Sequence, residues 1–503
     1  MSGLDPVTLQ VMVGALRAAC DEMGAVLIRS AHSPNITERH DCSTALFDPR
    51  GELVMQAEHI PVHLGSMPDA VAVVASERQS EGDLWILNDP YRGGTHLPDI
   101  TLISPAFVED ELLGFTASRA HHADVGGPTP ASMPADSVTL DEEGEVIPPT
   151  RVDDDALREI AGRMRRPDQR LADLRAQRAA NLLGIRRLGE LVARDGLAAL
   201  REGMDEILGY TERRTRAAIA ALPDGEGTAE DILEWHGGDV RLRLRAVVEG
   251  ETLTLDFTGS AGQIEGNLNC PLSVTKSACF YAVRVVCDPD GPPSAGAWRP
   301  VEVRAEEGSL LNARFPAAVA AGNVETSSRV ADLVFEALAA FAPVPAAGQG
   351  TMNNLTLASP DDGAEWTYYE TIGGGQGACP GGDGPSAVHV AMSNTLNTPV
   401  EALESELPVR VRELAVRRGS GGDGAHRGGD GVVREFEALE PMSYTLIAER
   451  RRHPPPGRQG GSDGTRGADT LNGRPIPPKG AGELAPGDRL RIETPGGGGF
   501  GGA

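Results

Sequence analysis

Residues 96–124 read HLPDITLISPAFVEDELLGFTASRAHHAD and hold the clearest structural pattern of the chain. Two apolar runs, residues 100–107 and 112–118, flank the charged residues 109–111, which predicts a β-hairpin. Histidine and aspartate residues stand just outside both ends of this hairpin. A rigid sheet can hold such loop side chains, from distant positions in the sequence, around one point.

The segments before this hairpin extend the strand-rich pattern. Residues 43–47 and 52–56 predict a second hairpin around a Pro/Gly turn. Ahead of it, Asp5 followed by Pro6 is typical of a helix start, with Asp5 as the N-cap and proline at the first helical position. Apolar residues then recur at helical spacing, so we predict a helix to about Ser30.

The segments after the hairpin change character twice. Residues 167–222 are rich in Ala, Leu, Arg and Glu and predict two helices, broken at Asp195-Gly196 and packed as a hairpin. Strands and helices then alternate. Residues 419–503 hold 22 of the 62 glycines and predict short strands and loops.

Together these patterns predict a multi-domain α+β protein, because 503 residues exceed the usual size of one domain. The predicted regions are an N-terminal helix with a strand-rich region carrying the candidate site (1–150), a helical hairpin (151–225), a mixed α/β core region (226–418) and a Gly-rich β region (419–503).

The charge composition excludes several function classes. The formal net charge is -27, whereas nucleic-acid binding needs a basic surface. Only Lys276 and Lys479 are lysines, and neither lies in the Gly-Lys-Ser/Thr setting of a P-loop or in the setting of a Schiff-base lysine. We therefore expect no ATP site and no pyridoxal chemistry on this chain.

The compartment is predicted from the cysteines and the hydropathy pattern. The six cysteines form no CxxC pair, which favours a reducing environment and thiols that serve as small core residues. No stretch approaches the length of a membrane span, and the N-terminus does not resemble a secretory signal. We expect a cytoplasmic protein without membrane attachment.

The candidate chemistry lies in His96-Leu97-Pro98-Asp99 and His121-His122-Ala123-Asp124, with Asp41 upstream. Imidazole nitrogen with carboxylate oxygen suits Zn, Mn or Fe, and two histidines with two aspartates leave coordination positions open for water or substrate. Histidine and aspartate in loops also cap helices and close turns, so the spacing alone leaves a structural role open.

A second candidate feature is the glycine-rich stretch of residues 370–377, ETIGGGQG, which follows a predicted strand. Such glycines can expose backbone N–H groups to an anion or an oxyanion. The spacing is not that of a dinucleotide fingerprint, and a close-packed loop near substrate is the simpler interpretation. Ser66 and Ser118 lack a Gly-x-Ser-x-Gly elbow, which makes a serine-hydrolase triad a weak alternative.

These motifs resemble those of the hydantoinase B/oxoprolinase family. The matching segments follow one another along nearly the whole chain: SPNI (33–36), ERHD (38–41), HIPVHLGSM (59–67), NDPYRGGTHLPD (88–99), RAHHADVGG (119–127), DLRAQ (173–177), DFTG (256–259), NVETS (323–327) and residues 370–377. This family includes hydantoinase B-type subunits, the C-terminal half of ATP-dependent 5-oxoprolinase, and subunits of acetone and acetophenone carboxylases.

The resemblance implies a divalent metal ion bound by Asp41, His96, Asp99 and His121. It suggests His122 and Asp124 as groups that orient a ligand or move protons. It also suggests Arg119, with Arg39 and Arg92 as alternatives, as the group that holds a phosphate, although each arginine can equally form a structural salt bridge. His59 and His63 are expected to shape the surrounding loops.

The resemblance further implies a partner. A hydantoinase A-type subunit would bind ATP and activate the substrate by phosphorylation, in a hetero-oligomer, and this chain would be inactive alone. The expected function is that of the metal-dependent B-type subunit of an ATP-dependent amidohydrolase that opens a hydantoin, 5-oxoproline or similar lactam. A ketone carboxylase subunit and a non-catalytic scaffold subunit are the alternatives.

Overall fold

The computed structural model describes residues 4–58, 60–360 and 366–502. Helices and four β-sheets alternate along these residues, which confirms the multi-domain α+β class. The helices are α1 (Pro6–Ser30), α2 (Pro34–Thr37), α3 (Ser66–Ala75), α4 (Asp154–Gly162), α5 (Pro167–Asp195), α6 (Leu197–Ala220), α7 (Leu272–Cys287), α8 (Ser327–Leu338) and α9 (Val400–Glu406).

A six-stranded sheet in the order β2-β1-β5-β4-β3-β6 organises the N-terminal region. Its strands are β1 (Cys42–Phe47), β2 (Leu53–Glu58), β3 (Trp85–Leu87), β4 (Asp99–Val108), β5 (Glu111–His121) and β6 (Thr150–Arg151). Both predicted hairpins are confirmed, and β4 pairs with β5 along nearly their full lengths. Glu109 and Asp110 turn the chain with positive φ angles, as a tight hairpin turn requires.

Helices cover both faces of this sheet. On one face α1 and α5 pack together against β1, β4 and β5, around a core that includes Leu16, Met23 and Leu188. On the other face α3 packs against β4 and β5. Asp5 caps α1 by accepting hydrogen bonds from the backbone N–H groups of the first turn, as predicted.

The predicted break at Asp195-Gly196 is confirmed, since α5 ends at Asp195 and α6 begins at Leu197. Gly196 separates the two helices with a φ of +89°, a backbone conformation that glycine adopts readily. Helix α5 is also hydrogen-bonded to the sheet: the Gln177 side-chain N–H₂ donates to the carbonyl oxygens of Ile100 and Ser118.

Three further sheets build the rest of the chain. The second sheet, in the order β10-β9-β8-β7, packs against α8, and the third and fourth lie in the order β12-β11-β15-β18 and β13-β14-β19-β16-β17. Their strands are β7 (Gly225–Trp235), β8 (Gly238–Glu249), β9 (Thr252–Asp256), β10 (Val301–Arg304), β11 (Asn354–Ala358), β12 (Thr367–Glu370), β13 (Val409–Arg417), β14 (Gly431–Ala438), β15 (Met442–Ile447), β16 (Ala468–Leu471), β17 (Arg474–Pro475), β18 (Lys479–Leu484) and β19 (Arg489–Glu493).

One hydrophobic core joins residues from the predicted N-terminal, central and C-terminal regions, from Ile60 to Ile447. The regional boundaries at residues 150, 225 and 418 therefore stay a prediction. No helix within the described residues is long and apolar enough to cross a membrane.

The C-terminal glycines pack as extended segments against one another. Gly497 donates to the carbonyl of Gly429, and its own carbonyl accepts from Gly422. A Cβ atom built on Gly497 would lie 2.1 Å from the carbonyl oxygen of Gln376, much closer than real contacts. Backbone segments therefore touch directly, and glycine is required by this proximity.

We expect Gly497→Ala to lower the free energy of unfolding by about 2 kcal/mol or more, because the methyl group must displace a hydrogen-bonded backbone. Gly502→Ala, in the same glycine run, has no atom within 4 Å of its new Cβ and serves as the matched control. Denaturant unfolding measures both variants. Equal stabilities would contradict the requirement for glycine at position 497.

Candidate metal centre

Three neighbouring strands bring together residues that are far apart in sequence. Asp99, the first residue of β4, lies directly opposite His121, the last residue of β5. The carbonyl of Asp41, just before β1, accepts a hydrogen bond of 3.0 Å from the His121 backbone N–H. Antiparallel pairing thus places Asp41, His121 and Asp99 in a row across the ends of these three neighbouring strands.

His96 joins this row through a tight turn ahead of β4. The Asp99 N–H donates to the His96 carbonyl at 3.1 Å, and the His122 N–H donates to the Pro98 carbonyl at 2.8 Å. The turn therefore folds back at the start of β4, and the hydrogen bond from His122 to Pro98 connects it to the residue that follows β5.

The side-chain donor atoms of His96, Asp99 and His121 converge on one point. His96 Nε2 and His121 Nδ1 each lie 3.1 Å from Asp99 Oδ1, and the two nitrogens are 3.2 Å apart. All three residues are buried, and they form the group within the described chain whose geometry suits a metal ion. The other ring nitrogens, His96 Nδ1 and His121 Nε2, have no hydrogen-bond partner among the described residues.

The protonation states of Asp99 and His121 suit metal binding. Burial acts to raise the pKa of Asp99, but His96, His121 and His63 hold that pKa well below its ordinary value. Burial lowers the pKa of His121 to about 4. An ionised carboxylate beside a neutral imidazole is the ligand form that a divalent ion needs.

Neighbouring charges also shift the pKa values of Asp41 and His96. Burial, together with the nearby Asp99 charge, raises the pKa of Asp41 to about 6. Burial acts to lower the pKa of His96, but the Asp99 and Asp41 carboxylates outweigh it and raise that pKa. Asp41 lines the same cavity as the other three predicted ligands.

Further polar side chains hold Asp99 in place. Thr95 Oγ1 donates to Asp99 Oδ2 at 2.6 Å, and Asn323 Nδ2 lies 3.5 Å from the same oxygen. His63 Nε2 is 3.6 Å from it, while His63 Nδ1 contacts Ser43 Oγ at 2.9 Å. Such partners around the ligands fix their orientation.

His63 was expected only to shape a loop, yet it contacts Asp99 directly. Its position follows from a 3₁₀ turn at Pro61–His63, for which the sequence pattern carries no metal signal. His59 lies outside the described residues. Asn323 is carried by a π-helical turn, Gly322–Thr326, ahead of α8, a local widening of the helix that sequence periodicity does not reveal.

The cluster borders a small cavity of about 20 Å³. By that measure the cavity holds about one water molecule. Its remaining wall comes from the second half of the chain and from the loop before α3. The lining residues are Asp41, Ile60, Val62, His63, His96, Asp99, His121, Asn323, Val324, Met352, Tyr369, Thr371, Met392, Ser393 and Thr395.

Tyr369 and Arg39 connect the two halves of the chain at this cavity. The Tyr369 ring stacks on the His121 imidazole, with centroids 4.6 Å apart. Arg39 is fully buried and donates to the Tyr369 carbonyl, to Thr371 Oγ1 at 2.7 Å and to Thr395 Oγ1 at 3.1 Å. The beginning of the glycine-rich stretch, residues 370–377, therefore lies beside the site.

His122 and Asp124, predicted to take part in catalysis, do not line the cavity. His122 Nε2 contacts Gln177 Oε1 of α5 at 2.9 Å, because successive residues of an extended chain point to opposite faces. Asp124 accepts hydrogen bonds from the Gly126 and Ala131 N–H groups and pairs with Arg165.

Arg119, the predicted phosphate ligand, is also outside the cavity lining. It is fully buried and donates to Thr101, Ser66 and the Gly93 carbonyl. Burial lowers its pKa to about 10, so the guanidinium remains charged at neutral pH. These contacts give His122, Asp124 and Arg119 structural roles, and their catalytic roles stay predictions.

A cleft of about 670 Å³, much larger than the cavity at the cluster, lies elsewhere, around Trp235 and residues 465–470. Three of its lining arginines pair with carboxylates: Arg417 with Glu493 at 3.1 Å, Arg451 with Asp469 at 2.8 Å and Arg452 with Asp239 at 2.9 Å. Size alone therefore does not mark the reactive site, and the buried cluster is the better candidate.

Comparison with known proteins places this geometry in a family. A family model described as Hydantoinase B/oxoprolinase matches residues 5–503. The chain is 38% identical to 5-oxoprolinase 1 of Arabidopsis thaliana over 99% of its own length, but it spans only 42% of that protein. It is 32% identical to the B-type subunit of a putative D-/L-hydantoinase from Pseudomonas sp. strain NS671, covering 92% of this chain and 83% of that protein.

A solved structure matches nearly the whole fold. The crystal structure of ATP-dependent caprolactamase from Pseudomonas jessenii superposes with a TM-score of 0.93, at 29% identity, over 99% of this chain and 91% of that chain. The match of the family model along almost the entire sequence confirms the resemblance that the motifs suggested. The chain belongs to the hydantoinase B/oxoprolinase family.

Proposed function

We propose that this chain is the metal-dependent subunit of an ATP-dependent amidohydrolase that opens a cyclic amide. His96, Asp99, His121 and Asp41 are the proposed ligands of a divalent ion. The observation that carries the proposal is the convergence of three buried donor atoms, 3.1 to 3.2 Å from one another, in a chain of this family. The caprolactamase and oxoprolinase names of its relatives support a lactam as substrate.

The donor separations fit a metal ion. Ligand atoms about 2.1 Å from an ion lie about 3.0 Å apart at octahedral angles and about 3.4 Å apart at tetrahedral angles. The observed 3.1 to 3.2 Å lies between these values. The nitrogen and oxygen donors suit Zn, Mn or Fe, and no cysteine belongs to the cluster.

A divalent ion at these residues supplies Lewis acidity, which polarises a carbonyl group or acidifies water. The chain itself supplies the surroundings. Val62, Val324 and Met392 give the cavity apolar walls that exclude bulk water and strengthen electrostatic interactions. Thr95 and Asn323 keep Asp99 oriented so that one carboxylate oxygen faces the two imidazoles.

ATP chemistry is assigned to a hydantoinase A-type partner in a hetero-oligomer. Both lysines of this chain are engaged in local contacts: Lys479 Nζ contacts the Glu234 carbonyl and Glu449, and Lys276 lies 3.5 Å from Asp69. The 5-oxoprolinases that the chain matches are more than twice as long, which leaves room for an activating half within their own polypeptides. The hydantoinase relative is itself named as one subunit of its enzyme.

Metal content tests the proposed ligands. Wild-type protein equilibrated with Zn, Mn or Fe and then desalted is expected to hold about one ion per chain, and His96→Ala less than about a tenth of that, because one of few ligands is lost. Elemental analysis by mass spectrometry measures both. His453→Ala is the control, since His453 pairs with Asp239 on the surface.

Ring opening by the assembled complex tests the proposed reaction. Mixed with its A-type partner and ATP, the chain is expected to open at least one of caprolactam, 5-oxoproline or hydantoin, and neither subunit alone does so. His96→Ala in the complex should reduce ring opening by about 100-fold or more. Wild-type activity in that variant would favour a scaffold role, and turnover without ATP would contradict the division of labour.

Metal affinity tests the contact between Thr95 and Asp99. The Thr95 hydroxyl orients Asp99 from 2.6 Å, so Thr95→Val is expected to weaken metal affinity by about 10- to 100-fold. Competition with a metal chelator measures the affinity. Thr252→Val, at an exposed position at the start of β9, is the control. Equal affinities would show that the Thr95 contact has no part in ligand orientation.

A further inference from the structure

Residues 388–396 form an irregular segment that contributes Met392, Ser393 and Thr395 to the lining of the same cavity as the His/Asp cluster. Val388 exchanges two backbone hydrogen bonds with Gly374, at 2.8 and 2.9 Å, and Leu396 donates to the Arg39 carbonyl at 3.0 Å. The segment is therefore fixed at both ends. It places Ser393, which is buried, on the cavity wall.

A chain of hydrogen bonds leads from this serine to a buried cation. Ser393 Oγ lies 2.7 Å from His389 Nδ1, and His389 Nε2 lies 3.4 Å from Thr395 Oγ1. Thr395 and Thr371 hydroxyls are 2.7 Å apart, and Arg39 donates to both. The Ser–His pair is spaced i, i+4 in a loop, a pattern too common to be singled out in the sequence.

One consistent direction for this chain of hydrogen bonds starts at Arg39. A guanidinium only donates, so both threonine oxygens accept from Arg39. If Thr371 also donates to Thr395, then the Thr395 proton points to His389 Nε2, which accepts it. The remaining ring proton lies on Nδ1 and donates to Ser393 Oγ. The Ser393 hydroxyl proton is then left to point into the cavity.

We propose that Ser393 is a catalytic residue whose hydroxyl donates a hydrogen bond to the oxygen of the cyclic amide group. When water adds to the amide carbon, a new C–O bond forms and the C=O π electron pair moves onto that oxygen, whose negative charge the hydrogen bond stabilises. His389 and Arg39 are positioning residues that hold Ser393 in this donor orientation. The inference rests on the proposed function and assigns a role to a part of the cavity lining that comes from the second half of the chain. It involves hydrogen bonding alone, without proton transfer to or from Ser393.

The electrostatic surroundings agree with this role. Arg39 is fully buried, and its side chain has no carboxylate within ion-pair distance among the described residues, so its positive charge polarises the chain of hydroxyls towards the cavity. Burial, with the Arg39 charge, lowers the pKa of His389 to about 3, so the ring is neutral and carries a single proton at neutral pH. Donors fixed in advance in a water-poor site are where hydrogen bonds contribute most to catalysis.

The kinetic test uses the complex with the A-type partner, ATP and the lactam that it opens. Ser393→Ala is expected to lower kcat by about 100-fold with little change in KM, because a donor used mainly in the transition state is lost. Ser393→Thr keeps the hydroxyl and should recover most of the rate. Ser405→Ala, on the exposed face of α9, is the control. Ser393→Ala within about threefold of wild type would overturn the inference.

A second measurement is independent of activity. Nitrogen-15 NMR of the full-length chain labelled at histidine distinguishes the two neutral tautomers, and His389→Gln identifies the His389 signals. The expected tautomer has its proton on Nδ1; a proton on Nε2 would reverse the hydrogen-bond direction and overturn the inference. If the wild-type complex opens no lactam, the proposed function fails, while the tautomer still decides the donor direction.

Discussion

The pairing of β4, β5 and β1 is the constraint on which the candidate site depends. Asp99 and His121 occupy opposing positions in one ladder, and the His121 N–H bonds to the Asp41 carbonyl. A register shift of one residue would turn these side chains to the opposite face, towards α1 and α5. The hydrogen bonds from Gln177 to two strands and the packing of α1 against the sheet stabilise that register. The core and the site therefore depend on the same ladder.

The second half of the chain completes the site through packing. Tyr369 stacks on His121, and its hydroxyl donates to Asn354, whose amide donates to the buried carboxylate of Glu325. Glu325 and Asn323 share the π-helical turn before α8. One irregular turn therefore supports both sides of the cavity. Glycine-on-glycine packing of the C-terminal region brings backbone segments close together behind this wall.

Much of this arrangement was predictable from sequence. The hairpins, α1 and the break at Gly196 have strong local signals in apolar periodicity, capping and turn residues. His96, Asp99 and His121 were predictable because they flank a recognisable hairpin. His63, Tyr369 and the pair His389–Ser393 were not, since they reach the cavity through long-range packing. His122 lies away from the cavity because its adjacency to His121 in sequence places it on the opposite face of the strand, and its catalytic role stays a prediction.

The proposed site holds one divalent ion with residues at the strand ends of the N-terminal sheet. Anomalous X-ray diffraction from crystals of the metal-loaded protein tests it most directly. We expect a single strong peak within about 2.0 to 2.2 Å of donor atoms on His96, Asp99 and His121, with Asp41 beside them. A peak elsewhere, or the same three side chains in place with no peak among them, would contradict the claim.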